Sequence, residues 1–221
     1  MAQLVFDLAA PPALGRDDFF VSPANATAVG LVERVADWPE GKLLIVGPPG
    51  SGKTHLARIW AADHNAAVVA AGAAQGPADR AMVVENVHSI AGDRAAEVAF
   101  FHFHNAMRAA RLPLLMTAAA DVRDWGIGLP DLLSRLQATA VARLEAPDDA
   151  LLAALLVKLF NDRQIAVAPN LIQYLVPRIE RSFAAAHDTV ALLDARALAL
   201  GRPLTRGLAA EVLDFRREEG E

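Results

Sequence analysis

The sequence predicts an α/β fold, a parallel sheet flanked by helices, followed by a small all-helical domain. Three observations predict it. Short apolar runs alternate with helix-length segments as far as Leu144. A glycine-rich turn joins the first buried run to a helix, and no strand-like run follows Pro147.

Residues 1–16 read as a flexible N-terminal tail. The apolar peptide Gln3-Leu4-Val5-Phe6-Asp7-Leu8 is followed by Pro11, Pro12 and Gly15, which break regular structure. Residues 17–146 read as the α/β domain. Apolar spacing predicts a helix over 25–38, ended by Pro39 and Gly41. Leu43-Leu44-Ile45-Val46 is wholly apolar, as suits a strand covered on both faces. A helix over 53–64 follows, then a strand over 66–70 and a third over 81–84. Residues 93–111 read as a long helix, 114–117 as the fourth strand and 138–144 as the fifth. Strand–helix alternation of this kind implies right-handed crossovers. Residues 147–221 read as the helical domain. Asp148 and Asp149 can cap a helix to 163, and further helices are expected over 169–178, 182–200 and 206–216.

Composition narrows the function classes. With 54% hydrophobic and 21% charged residues in 221, a large core can be buried and global disorder is excluded. The chain has no cysteine, so disulfides and thiolate metal sites are ruled out; a reducing cytoplasm is compatible. No signal peptide and no apolar run of roughly 18 residues is found, so no membrane partner is expected. A net charge of −5 gives no support to a stand-alone DNA binder. Lysine occurs only at 42, 53 and 158, and one of the three lies in the turn that matters most.

That turn is Gly47-Pro48-Pro49-Gly50-Ser51-Gly52-Lys53-Thr54, which fits G-x-x-x-x-G-K-[ST]. Glycines let successive N–H groups point into one anion-binding concavity. The helix that starts there adds its positive N-terminal dipole. Lys53 can reach β- and γ-phosphates, and the Thr54 hydroxyl can ligate Mg²⁺. A bound ADP or ATP is therefore expected. The strand over 81–84 runs into Glu85-Asn86. Glu85 either serves the metal or is an exposed strand end. Asn86 cannot accept a proton near neutral pH, which predicts weak intrinsic hydrolysis.

The loop, the "VVEN" and "LLMTA" strands and "LPDLLSRL" together resemble the AAA+ core of the bacterial replication initiator DnaA. The resemblance is strongest to the shortened Hda-type homologues, which promote ATP hydrolysis by DnaA. It covers nearly the whole chain and implies an AAA+ P-loop domain with a helical lid. It also implies regulatory inactivation of DnaA, with the DNA polymerase III β sliding clamp and DnaA as partners. DnaA's DNA-reading helix-turn-helix domain has no counterpart here, so no direct sequence-specific DNA binding is expected. Homodimerisation stays open.

Site residues follow from the same resemblance. Gln3, Leu4, Phe6, Asp7 and Leu8 resemble the clamp-binding peptide, although the alternation also fits a strand. Arg135 matches an arginine finger, which stabilises transition-state charge on a neighbour's nucleotide; a surface arginine is the alternative. Thr117 matches the polar sensor position, or simply caps a strand end. Phe20, Val21 and Asn25, next to Phe19, match the segment around the adenine, or are core packing. The lid's sensing arginine falls at Ala184 or Ala185, and Arg181, about one helical turn earlier, is the substitute candidate. His102 and His104, two apart on a helix, do not share a ligand face, so one exposed and one packed histidine is expected. His55 reads as a contact residue and the Arg216-Arg217-Glu218-Glu219 run as a solvated end.

Overall fold

The computed structural model describes residues 19–76 and 78–218, with side chains described to residue 214. Five parallel strands form one sheet in the order β2-β3-β4-β1-β5. They are β1 (Lys42–Val46), β2 (Ala67–Ala70), β3 (Met82–Glu85), β4 (Leu114–Ala118) and β5 (Ala140–Arg143). β1 and β4 are buried at every position, which is why they read as unbroken apolar runs. At the edge, β2 alternates between half-buried and exposed positions.

Helices cover both faces. On one face α1 (Ala26–Glu33) and α2 (Lys53–Asp63) pack Val32, Leu56 and Trp60 against Leu43, Ile45, Val83 and Leu115. On the other, α3 (Arg94–Ala110) and α4 (Pro130–Gln137) pack Phe100, Phe103, Met107, Leu132 and Leu136 against Leu44, Val84 and Met116. Alternate residues of β1 thus anchor two separate cores, as the two-residue strand period requires.

The helical domain comprises α5 (Asp149–Asp162), α6 (Pro169–Leu175), α7 (Phe183–Leu200) and α8 (Arg206–Glu218). It has its own core of Leu152, Leu156, Phe160, Leu175, Val190 and Leu208, all essentially inaccessible. Asp148 caps α5 through Leu151 N–H at 2.7 Å, as the sequence suggested. No helix of the described residues is long and apolar enough to cross a membrane.

Two expectations need correction. The first helix stops at Glu33, because Arg34 leaves helical geometry at φ −95°, ψ 64°; a 3₁₀ turn over Val35–Asp37 then carries the chain to Trp38. The apolar spacing continues through this break because Trp38 is still buried, stacked on Trp60 with ring centroids 5.2 Å apart. Arg181 does not ride on α7. That helix begins at Phe183, with Ser182 as its N-cap accepting from Ala185 N–H at 3.0 Å.

Candidate functional site

The 47–54 loop leaves the C-terminal end of β1 and enters α2. Its glycines are fixed by different constraints. A Cβ on Gly47 would lie 2.3 Å from the Leu144 carbonyl oxygen, so no side chain fits there. Gly50 and Gly52 have φ of +71° and +90°, a region side chains avoid. Together they bend the loop into the start of α2, whose first N–H groups and positive dipole end suit an anion, while the Gly47 and Ser51 N–H groups are taken by the Ala118 and Pro48 carbonyls.

Polar groups converge on that turn. The Lys53 ammonium donates to the Gly47 and Pro48 carbonyls, both at 2.7 Å, and burial holds its pKa below the ordinary lysine value. Ser51 Oγ is buried with no hydrogen-bond partner. Glu85 Oε1 at the end of β3 is also buried and unsatisfied; Arg58 of α2 lies 3.7 Å away, an ion-pair distance too long for a hydrogen bond. Thr54 is exposed at the helix start. Orphaned polar atoms at the loop and at the acidic strand end fit a phosphate group with a divalent cation. Thr54 and Glu85 would hold the cation, which would neutralise charge on the phosphates.

Thr117 is buried, and its hydroxyl accepts from the Asn86 backbone N–H at 3.0 Å. It therefore ties the ends of β3 and β4 together. Asn86 itself sits in the left-handed region at φ 56°. His88 was missed by the sequence reading. Burial first, and then the nearby Lys53 charge, lower its pKa, and Ala119 N–H points to its Nδ1 at 3.4 Å. The only signal in the sequence was a ring three residues beyond Glu85.

The helical domain meets the loop directly. Phe183 N–H donates to the Gly50 carbonyl at 2.8 Å, and a Cβ on Gly50 would touch Ser182 Cβ at 3.0 Å. A cleft of 440 Å³ opens between Pro49, Gly50 and the helical domain, with Arg178, Glu180, Ser182 and Asp188 on its wall. Arg181 pairs with Asp149 at 2.8 Å, and both are largely exposed.

Of the adenine-segment candidates, Asn25 is buried and its amide is committed: it donates to the Phe20 carbonyl at 2.9 Å and accepts from Ser22 N–H at 2.8 Å. Phe20 and Val21 are about half exposed, at 49% and 51%. Phe19 reaches the loop, 3.5 Å from a Cβ on Gly52, and packs edge-on to His55 at 5.2 Å. Gln3, Leu4, Phe6, Asp7 and Leu8 lie outside the described residues.

Arg135 lies elsewhere. It sits in the last turn of α4 and lines a cleft with Pro39, Glu40, Lys42, His104 and Thr139. Lys42 opens β1, whereas the phosphate loop follows its other end. The guanidinium lies over the Phe101 ring, 5.3 Å from the centroid. His102 is exposed and His104 buried, as the helical spacing implied. No cluster of metal-ligating side chains occurs among the described residues.

No protein-family model matches the chain. Solved structures do. Domain III of the Thermotoga maritima replication initiation protein DnaA superposes with a TM-score of 0.80 at 17% identity, covering 92% of this chain and 97% of that one. The fold is that of a DnaA-like AAA+ domain. AMPPCP-bound DnaA from Aquifex aeolicus gives 0.72 at 15% identity, covering 86% of this chain and 67% of that one. The Thermotoga maritima RuvB Holliday junction branch migration motor gives 0.68 at 14%, covering 91% and 71%.

Proposed function

We propose that this chain is a nucleotide-binding regulator of replication initiation that makes another AAA+ subunit hydrolyse ATP. It holds ADP or ATP with Mg²⁺ at residues 47–54 and attaches to the polymerase sliding clamp through residues 3–8. It presents Arg135 to ATP held by DnaA.

One observation carries the reading. Arg135 stands beside Lys42 at the start of β1, and the chain's own phosphate loop follows the other end of that strand. Five residues of strand span roughly 13 Å. That separation along the strand supports a role for the partly exposed Arg135 at a neighbour's nucleotide instead of its own loop. Asn86 at the end of the acidic strand is an amide and takes up no proton, which supports the expectation of slow turnover in the chain itself. The aligned AAA+ fold and the AMPPCP held by one structural neighbour support an adenine nucleotide at the loop.

Deleting residues 1–8 tests the assignment. The truncated chain should keep its nucleotide-dependent melting shift and lose both clamp binding and stimulation of DnaA. Stimulation that survives without those residues would refute the clamp-tethered mechanism.

A further inference from the structure

The cleft beside Arg135 has a floor that the proposed function does not use. Lys42 is 2% and His104 1% exposed, and the two lie 62 residues apart in sequence. The Lys42 ammonium donates to His104 Nδ1 at 3.2 Å. An ammonium has no acceptor, so Nδ1 carries no proton and Nε2 carries the N–H. That N–H is buried and unpartnered. Around it stand Lys42, Arg108 and Arg135, with Glu40 as the one carboxylate shared between the first two, at 3.6 and 2.9 Å. Arg135 makes no ion pair among the described residues. Lys42 and Arg135 line the cleft with Glu40 as the one acid of its lining, and Arg108 is paired to that acid, so cationic groups outnumber it. Its backbone does not offset this. The carbonyls of Ser134, Arg135 and Leu136 at the end of α4 are occupied by Ala138 N–H, Thr139 Oγ and Thr139 N–H.

We propose that this cleft binds a phosphate group, with Arg135 and Ser134 at its mouth and Lys42 and His104 as its floor. Its volume of 260 Å³ far exceeds the roughly 10–15 Å³ that a single water needs on the same measure and admits a phosphate with part of its hydration. Arg135 supplies the forked donor, and Lys42 supplies a fixed charge that needs no reorganisation. The site is distinct from the 47–54 loop, and its existence does not depend on what the chain does to DnaA.

The test follows the His104 ring resonances by NMR in the Lys53→Ala chain, so that the loop does not compete. Inorganic phosphate and ADP are titrated separately. Saturable shifts with phosphate are expected, weakened about tenfold or more by Arg135→Ala, the worth of one charge-assisted hydrogen bond. If ADP competes for the same shifts, the site takes a nucleotide's terminal phosphate; if it does not, it takes the free anion. Either outcome supports the cleft. Resonances unmoved by both ligands, or phosphate affinity in the Arg135→Ala and Lys42→Met chains equal to that of the chain carrying only Lys53→Ala, would overturn it. Lys42→Met keeps the buried stem, and its melting curve reports whether the fold is intact.

Discussion

The Lys42 ammonium lies 3.2 Å from Nδ1 of His104, and both side chains are almost wholly buried at the floor of the Arg135 cleft. Burial, then the charges of Lys42, Arg135 and Arg108, push the His104 pKa from 6.5 down to about 3. The folded chain therefore keeps this ring neutral while the unfolded chain protonates it. Stability from this group is full above pH 6.5 and is lost as the pH falls from there toward about 3, at about 1.4 kcal/mol per pH unit. Urea denaturation of the parent and of His104→Gln between pH 7 and 5 should show a shallower pH slope in the variant. Equal slopes would refute the buried neutral ring.

Glu97 positions the segment that leads into α4. It is 1% exposed and accepts from the N–H groups of Gly92 at 3.0 Å, Gly128 at 2.9 and 3.1 Å, and Leu129 at 2.8 Å. Burial alone would raise its pKa, but the Gly128, Gly92 and Leu129 donors outweigh it and hold the carboxyl below 4.5. Its stabilisation is present above that value and lost as the pH falls through the lower folded one. Glu97→Ala leaves buried donors unpaired and should cost about 2–4 kcal/mol at pH 7. Chemical denaturation measures it, and a loss under about 0.5 kcal/mol would contradict the assignment.

Gly47→Ala drives a Cβ into the Leu144 carbonyl at 2.3 Å. Backbone on both sides must move, so destabilisation of roughly 1–3 kcal/mol is expected, with loss of the melting shift on adding ADP. An unaltered shift with ADP would show that the loop tolerates the displacement and that its close approach to β5 is not required.

Phe101 holds the Arg135 guanidinium through its ring face at 5.3 Å. Contacts of this kind are worth about 0.5–1 kcal/mol at exposed sites and more where desolvated, and both side chains here are half-buried, so Phe101→Ala should lower stimulation of DnaA by at least about two- to fivefold, with Phe101→Tyr restoring it. Equal loss in the Ala and Tyr chains would place the effect in packing instead of guanidinium orientation.

Much of this molecule was legible in the sequence, and the reasons are local. β1 and β4 are buried on both faces, so they appear as unbroken apolar runs. The phosphate loop announces itself because its glycines and the Lys53-Thr54 pair fall within eight residues, although the carbonyl that bars a side chain at Gly47 belongs to distant Leu144. What stayed hidden depends on distant partners. Lys42 and His104 are 62 residues apart, and Glu97 reaches Gly128 and Leu129 across 31 and 32. Asn25 matched a ligand-lining segment, yet its amide closes a local turn with Phe20 and Ser22. Arg181 lies about one helical turn before the position that the resemblance gives to the lid's sensing arginine. The Ser182 side chain starts α7 after it, and Asp149 holds its guanidinium.

In the proposed function, Arg135 acts on a nucleotide held by another subunit. The direct measurement is DnaA-bound ATP turnover, with clamp present, for the parent and Arg135→Ala chains. The variant should keep its fold, its clamp binding and its own nucleotide, while stimulation falls on the order of 10³-fold, as expected when an arginine finger is removed. An Arg135→Ala chain that stimulates DnaA as well as the parent does would contradict it.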